Sequence, residues 1–269
     1  MQITDAHFDE LLENGYLILP GYFAGERRRE LAEAQRRVLK TWDEVKDNPP
    51  ADRSMYAPFP SSEHILNRAI IEPPLIDLAR RYLKTDHIHY RAGVMLARYP
   101  GFPGDGMEPH IDNGNNSLLP PSETAREFGQ ILFWTHLEDV DEDQAPLRLI
   151  PTKYGRDMSK AQALVCEGGT VCAFSTYTWH AATAYERSDG QRFTWGLAMG
   201  RADHYWEGFK HYTSMGLDPH FRELISSLNA KERELFRFPP AGHPYYTVQT
   251  LEALEQQYPG WNANGEYSA

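Results

Sequence analysis

Apolar and polar positions change period twice along this chain, from helical spacing to strand-like alternation and back. Thr4 can cap a short helix running to about Asn14, with Gly15 as its stop. Tyr16-Leu17-Ile18-Leu19 then reads as a buried strand ended by Pro20-Gly21. Residues 25 to 46 place Leu31, Ala34, Val38 and Trp42 at helical spacing, which predicts one long amphipathic helix. The Pro-rich stretch from Asn48 to Pro60 reads as loop, and Pro73-Pro74 open a helix that ends near Lys84.

From about residue 87 to 200 the runs are short, β-branched and aromatic, with Gly, Pro, Asn and Asp between them. His89 to Tyr99, Gln130 to Leu137, Ala163 to Val165, Thr170 to Phe174 and Phe193 to Met199 are the expected strands. The fold class this predicts is mainly β with flanking helices, around an antiparallel jelly-roll core, a double-stranded β-helix of the cupin-like kind. Helices return after residue 200, over Pro219 to Phe236 and Thr247 to Tyr258. The 269 residues fit one domain, residues 1–269, with the jelly roll at about 87–200.

Composition narrows the partners. The net charge is −11, and the Arg27–Arg29 and Arg36-Arg37 groups are interleaved with Glu26, Glu30 and Glu33 as a solvated helix face. Nucleic acid is therefore not an expected partner. No secretory signal is seen at the N-terminus, and no apolar run approaches the roughly 20 residues that cross a bilayer. Cys166 and Cys172 flank Gly168-Gly169 in an expected hairpin and lack the spacing of a zinc or redox motif; reduced thiols and a cytoplasmic location follow.

The candidate chemistry starts at His110 and Asp112, two apart. On a strand such residues project to one face. His180 lies far downstream at the end of a run rich in β-formers. Two histidines and one carboxylate form the facial set of non-haem Fe(II) oxygenases, which leaves positions open for co-substrate and dioxygen. An isolated His-x-Asp is weak evidence, as the unpartnered His87-Ile88-His89 shows; that pair, with His204, His211 and His243, reads as packing or surface. Arg192 adds weight. A turn through Ser188-Asp189-Gly190 is expected to return its strand beside the one bearing His180. A guanidinium aimed into a barrel needs an anion, and a dicarboxylate such as 2-oxoglutarate supplies one. The alternative is a protein carboxylate at the barrel rim.

These residues resemble the phytanoyl-CoA dioxygenase family of Fe(II)/2-oxoglutarate oxygenases over about residues 8 to 200. The resemblance is carried by Phe8 with Asn14 to Gly21, by Pro109-His110-Ile111-Asp112, by Trp134-Thr135-His136-Leu137-Glu138-Asp139, by Pro146 to Pro151, and by Trp179-His180 with Arg192. It implies that His110, Asp112 and His180 bind iron and that Arg192 binds 2-oxoglutarate. It further implies that Met95 and Trp134 line the co-substrate site, against core packing as the alternative for both. The chain departs from the family pattern at Gln144-Ala145, where Asn-Gly is usual, and at Thr152-Lys153-Tyr154, where Gly-Ser-His is usual. It also has Ala182 where a small polar residue is common.

The implied activity is hydroxylation of an unactivated carbon in a small organic molecule, using dioxygen and releasing succinate and carbon dioxide. Desaturation or cyclisation would use the same chemistry. Asp112 argues against halogenation, which in related enzymes needs the carboxylate replaced. Tyr56, Phe59, Asn113, Asn116 and Phe209 are candidates for a substrate wall. Two other classes stay open: a cupin-type metalloenzyme without 2-oxoglutarate, which makes Arg192 unnecessary, and a non-catalytic binding sandwich, which needs no iron.

Overall fold

A computed structural model describes residues 1–104, 108–112, 127, 129–203 and 218–267. Its largest sheet joins β1 (Tyr16–Leu19), β2 (Ser54–Pro58), β3 (Ile88–Arg98), β4 (Gln130–His136), β7 (Thr170–Ser175) and β9 (Arg192–Arg201). Their order is β1-β7-β4-β9-β3-β2, with every neighbour antiparallel. A smaller antiparallel sheet has the order β6-β5-β8, from β5 (Arg148–Leu149), β6 (Gln162–Ala163) and β8 (His180–Ala181). The chain is thus mainly antiparallel β with flanking helices, in the cupin-like double-stranded arrangement.

Strand alternation sorts the large sheet's side chains into two cores. Ile131 and Phe133 of β4, Val171 and Ala173 of β7, and Phe193, Trp195 and Leu197 of β9 face the helices. They pack there against α2 (Gly25–Val38), α5 (Pro73–Leu83) and α6 (Pro219–Ser227), whose Leu31, Leu75, Leu78 and Leu224 are buried. Burying each such side chain is worth about 1.5–3 kcal/mol. The other face presents Leu132, Trp134, Cys172 and Phe174 to Leu147, Leu149 and Leu164 of the smaller sheet's region. The cavity described below opens on this second face.

Local expectations hold at α1 (Asp5–Asn14), where Thr4 caps the helix and Gly15 ends it at φ 79. The single helix expected over 25–46 is broken. Leu39 turns extended and fully buried, and Thr41 with Glu44 starts a new capping box for α3 (Trp42–Val45). The helix expected over 219–236 is likewise divided at Leu228, with Asn229 capping α7 (Ala230–Arg233). The Pro-rich stretch contains β2, an edge strand in which Pro58 is tolerated because its nitrogen is needed by no outer neighbour. A second correction bears on the site. β8 and β9 are not neighbours in one sheet; His180 stands in the smaller sheet and Arg192 in the larger. Among the described residues no helix is long and apolar enough to cross a membrane.

The entry to β7 depends on Gly169. Its φ is 94, and a Cβ there would lie 1.9 Å from the Phe23 carbonyl oxygen, which is backbone and cannot rotate away. Gly169→Ala should destabilise the fold by on the order of 3 kcal/mol, about 6–12 °C in Tm. Thermal unfolding followed by circular dichroism checks this, and an unchanged Tm would contradict the close approach.

Candidate iron and co-substrate site

His110 and His180 meet through a single antiparallel bridge, in which each backbone N–H donates to the other's carbonyl at 2.9 and 3.0 Å. His110 therefore reaches the site on an isolated bridge and not on the regular strand its spacing suggests. The effect is the same. The imidazole centroids are 4.4 Å apart, and Asp112 Oδ1 lies 3.6 Å from His180 Nε2 and 4.0 Å from His110 Nε2. One ligand atom from each of the three lies within 4.8 Å of the others.

His180 is the buried member, with 8% of its side chain exposed against 48% and 37% for His110 and Asp112. Its Nδ1–H donates to the Thr178 carbonyl at 2.9 Å. A carbonyl can only accept, so this bond fixes the tautomer that leaves Nε2 with its lone pair towards Asp112. Phe174 packs edge-on against the ring at 5.4 Å and holds its plane.

These three residues share a cavity of about 230 Å³ with Arg192, Arg98, Trp134, Leu96 and Ala182. Arg192 is buried, with Nη1 donating to the Ala145 carbonyl and Nε without a partner among the described residues. Burial, then the nearby Arg98, lowers its pKa to about 9. Among the described residues no carboxylate pairs with it. Ala145 adopts φ 54, where a side chain is strained. This is the position at which the family usually has Asn-Gly, and the strained backbone turns its carbonyl to the guanidinium.

Trp134 also reaches the cavity. It sits directly opposite Gly196, where any Cβ would come within 2.5 Å of the indole, and its Nε1 is buried without a partner among the described residues. Met95 does not reach the cavity. After the bulge between Tyr90 and Ala92, even-numbered residues of β3 face the cavity, so Met95 lies in the helix-covered core and Leu96 takes its place. Of the expected substrate wall, Tyr56 lies 56% exposed over Arg98, whereas Phe59 stacks inside on Tyr90 and Phe236. Asn113, Asn116 and Phe209, like His204 and His211, lie outside the described residues.

Two side chains were not anticipated. Thr194 is fully buried, its Oγ1 without a partner among the described residues, and it shares the face of Arg192 because it is two residues along the strand. That spacing was available in the sequence. His136, fully buried on β4, donates Nδ1–H to the Phe193 carbonyl at 3.0 Å; burial and Arg192 hold its pKa down at about 3, so it stays neutral.

The donor set fits a ferrous ion: two imidazoles and one carboxylate, with no thiolate. The buried N–H and O–H groups of Arg192, Thr194 and Trp134 fit a carboxylate-bearing co-substrate. The sequence model of the phytanoyl-CoA dioxygenase (PhyH) family matches residues 11–194, well over half of the chain. The chain belongs to this family. Its members are iron- and 2-oxoglutarate-dependent enzymes, and those are the cofactors this site accommodates.

Solved structures share this fold. HygX from Streptomyces hygroscopicus, with nickel and 2-oxoglutarate bound, has a TM-score of 0.58 at 12% identity, over 79% of this chain and 92% of its own. SnoK, a non-haem α-ketoglutarate-dependent carbocyclase from nogalamycin biosynthesis, gives 0.57 at 15% identity, over 79% and 89%. The epimerase SnoN, in complex with Fe3+, α-ketoglutarate and nogalamycin RO, gives 0.53 at 14%, over 74% and 83%. Likeness at these identities speaks to the fold. No curated protein matches the sequence.

Proposed function

We propose that residues 1–269 form a single oxygenase domain that hydroxylates an unactivated carbon of a small organic molecule. The balance is one substrate C–H, one 2-oxoglutarate and one dioxygen converted to C–OH, succinate and carbon dioxide. The observation that carries this reading is the convergence of His110, Asp112 and His180 with the buried Arg192, which pairs with no carboxylate among the described residues, in one cavity. Bound iron with 2-oxoglutarate supplies the activation of dioxygen and the oxidation of carbon.

The chain's own residues bind, orient and shield. His110, Asp112 and His180 hold the metal from one side, and the Thr178 carbonyl keeps His180 in the ligating tautomer. Arg192, with Thr194 beside it, takes the distal carboxylate of 2-oxoglutarate. Trp134 offers its indole N–H and, with Leu96, Leu132 and Phe174, forms an apolar wall that excludes water from the reacting end.

Anaerobic titration of the chain with Fe(II) and 2-oxoglutarate tests this reading. A weak visible metal-to-ligand charge-transfer band should appear, and a compound screen scored on succinate release should then find the substrate. Absence of the band in the intact chain would sink the assignment. Ring closure, desaturation or epimerisation is the second reading, favoured by the fold shared with SnoK and SnoN. Product mass separates these outcomes: hydroxylation adds an oxygen, ring closure or desaturation removes two hydrogens, and epimerisation changes nothing.

A further inference from the structure

The cavity holds more positive charge than one distal carboxylate contact requires. Arg98 on β3 is the direct cross-strand partner of Arg192 on β9, and both line the cavity. Side chains so paired stand on one face with Cβ atoms about 4.5–5.5 Å apart, where like charges oppose each other. Asp112, committed to the histidine pair, is the one carboxylate among the described lining residues.

Arg98 makes no ion pair or hydrogen bond among the described residues, and its Nε and Nη1 are buried without partners. Two rings hold it instead: Phe102 at 4.3 Å and Tyr56 at 5.1 Å from the guanidinium carbon. Stacking fixes the plane of a guanidinium and leaves its edge N–H groups, and its charge, available. Phe102 packs in turn against Ala145, whose carbonyl accepts from Arg192. Both guanidiniums are thus anchored at one place, from opposite strands, and the anion that relieves the repulsion must reach both.

We propose that Arg98 is a second guanidinium for the distal carboxylate of 2-oxoglutarate, closing with Arg192 on one carboxylate and selecting a 2-oxo dicarboxylate over a 2-oxo monocarboxylate. This rests on the co-substrate reading above and adds a positioning residue to it. Alternation after the β3 bulge turns Arg98 to the cavity, and the register of β3 on β9 sets it opposite Arg192.

Binding, measured apart from turnover, is the test. Anaerobic calorimetry on the Fe(II)-loaded full chain compares 2-oxoglutarate with 2-oxopentanoate, which has the same carbon skeleton without the distal carboxylate. In Arg98→Gln the Kd for 2-oxoglutarate should rise about tenfold or more, while that for 2-oxopentanoate stays within twofold, so selectivity falls by the same factor. Arg98→Lys keeps the charge and should recover part of the loss; it carries the test if the glutamine variant does not fold. Unchanged 2-oxoglutarate affinity in both Arg98 variants, with affinity lost in Arg192→Met, overturns the two-guanidinium site and leaves the co-substrate reading standing. Failure of the wild-type chain to bind 2-oxoglutarate overturns both.

Discussion

His180→Ala should leave a folded chain that no longer retains iron and no longer releases succinate from 2-oxoglutarate. His180 is the most buried of the three candidate ligands and the one whose tautomer is set by a backbone carbonyl. Loss of an outer partner of a metal ligand already weakens affinity roughly 10–100-fold. Removal of the ligand itself should exceed that, with metal affinity down by more than about a hundredfold. Asp112→Ala should behave alike, because it removes the carboxylate that lies near both imidazoles. Iron content after anaerobic reconstitution, with circular dichroism as the control for folding, measures the effect. Full occupancy and wild-type succinate release in either variant would exclude these residues as ligands.

The second large effect is a split between binding and stability. Arg192→Met should raise the Kd for 2-oxoglutarate by about 10²–10³-fold, the weight of losing one partner from a buried charged pair. Iron binding should be retained. Without ligand, the variant should be as stable as the parent or more so. In the ligand-free fold burial and Arg98 depress the Arg192 pKa to about 9, well below its ordinary value. A base whose pKa is depressed by folding opposes the fold in full below its folded pKa, and the penalty lifts only as pH rises from that value towards the unfolded one, so at neutral pH its charge works against folding. An unbranched apolar side chain removes that opposition. Calorimetry and thermal unfolding on the same preparation separate the two quantities. A marked loss of stability with unchanged 2-oxoglutarate affinity would mean that Arg192 serves the fold and not the co-substrate.

Much of this molecule is written locally. The Thr4 cap, the Gly15 stop, the β1 run and the short strands between 88 and 201 are all set by residues within a turn or a strand of each other. The candidate metal set was legible for the same reason. His110 and Asp112 need only a two-residue spacing to share a side, and Arg192 announces itself as a charge within an apolar strand. What misled was local as well. The helical period continues through Leu39 and Lys40, but burial of Leu39 and the Thr41 cap break the helix there.

Other features depend on which strands meet. Nearly every residue of β9, and much of β3, is buried on both faces, so hydrophobicity does not reveal which side looks into the cavity. The bulge at Arg91 shifts the phase of β3 and turns Leu96 inward in place of Met95. A one-residue change of phase exchanges the two faces of a strand. The separation of β8 from β9 into two sheets, and the meeting of Arg98 with Arg192, are likewise pairings across long stretches of chain. By itself the sequence marked most of the element types, the candidate metal residues His110, Asp112 and His180, and the arginine within β9, because residue type and local spacing decide these. Only the tertiary structure decided that the triad and two guanidiniums enclose one cavity, because strand order and register arise from packing between distant segments.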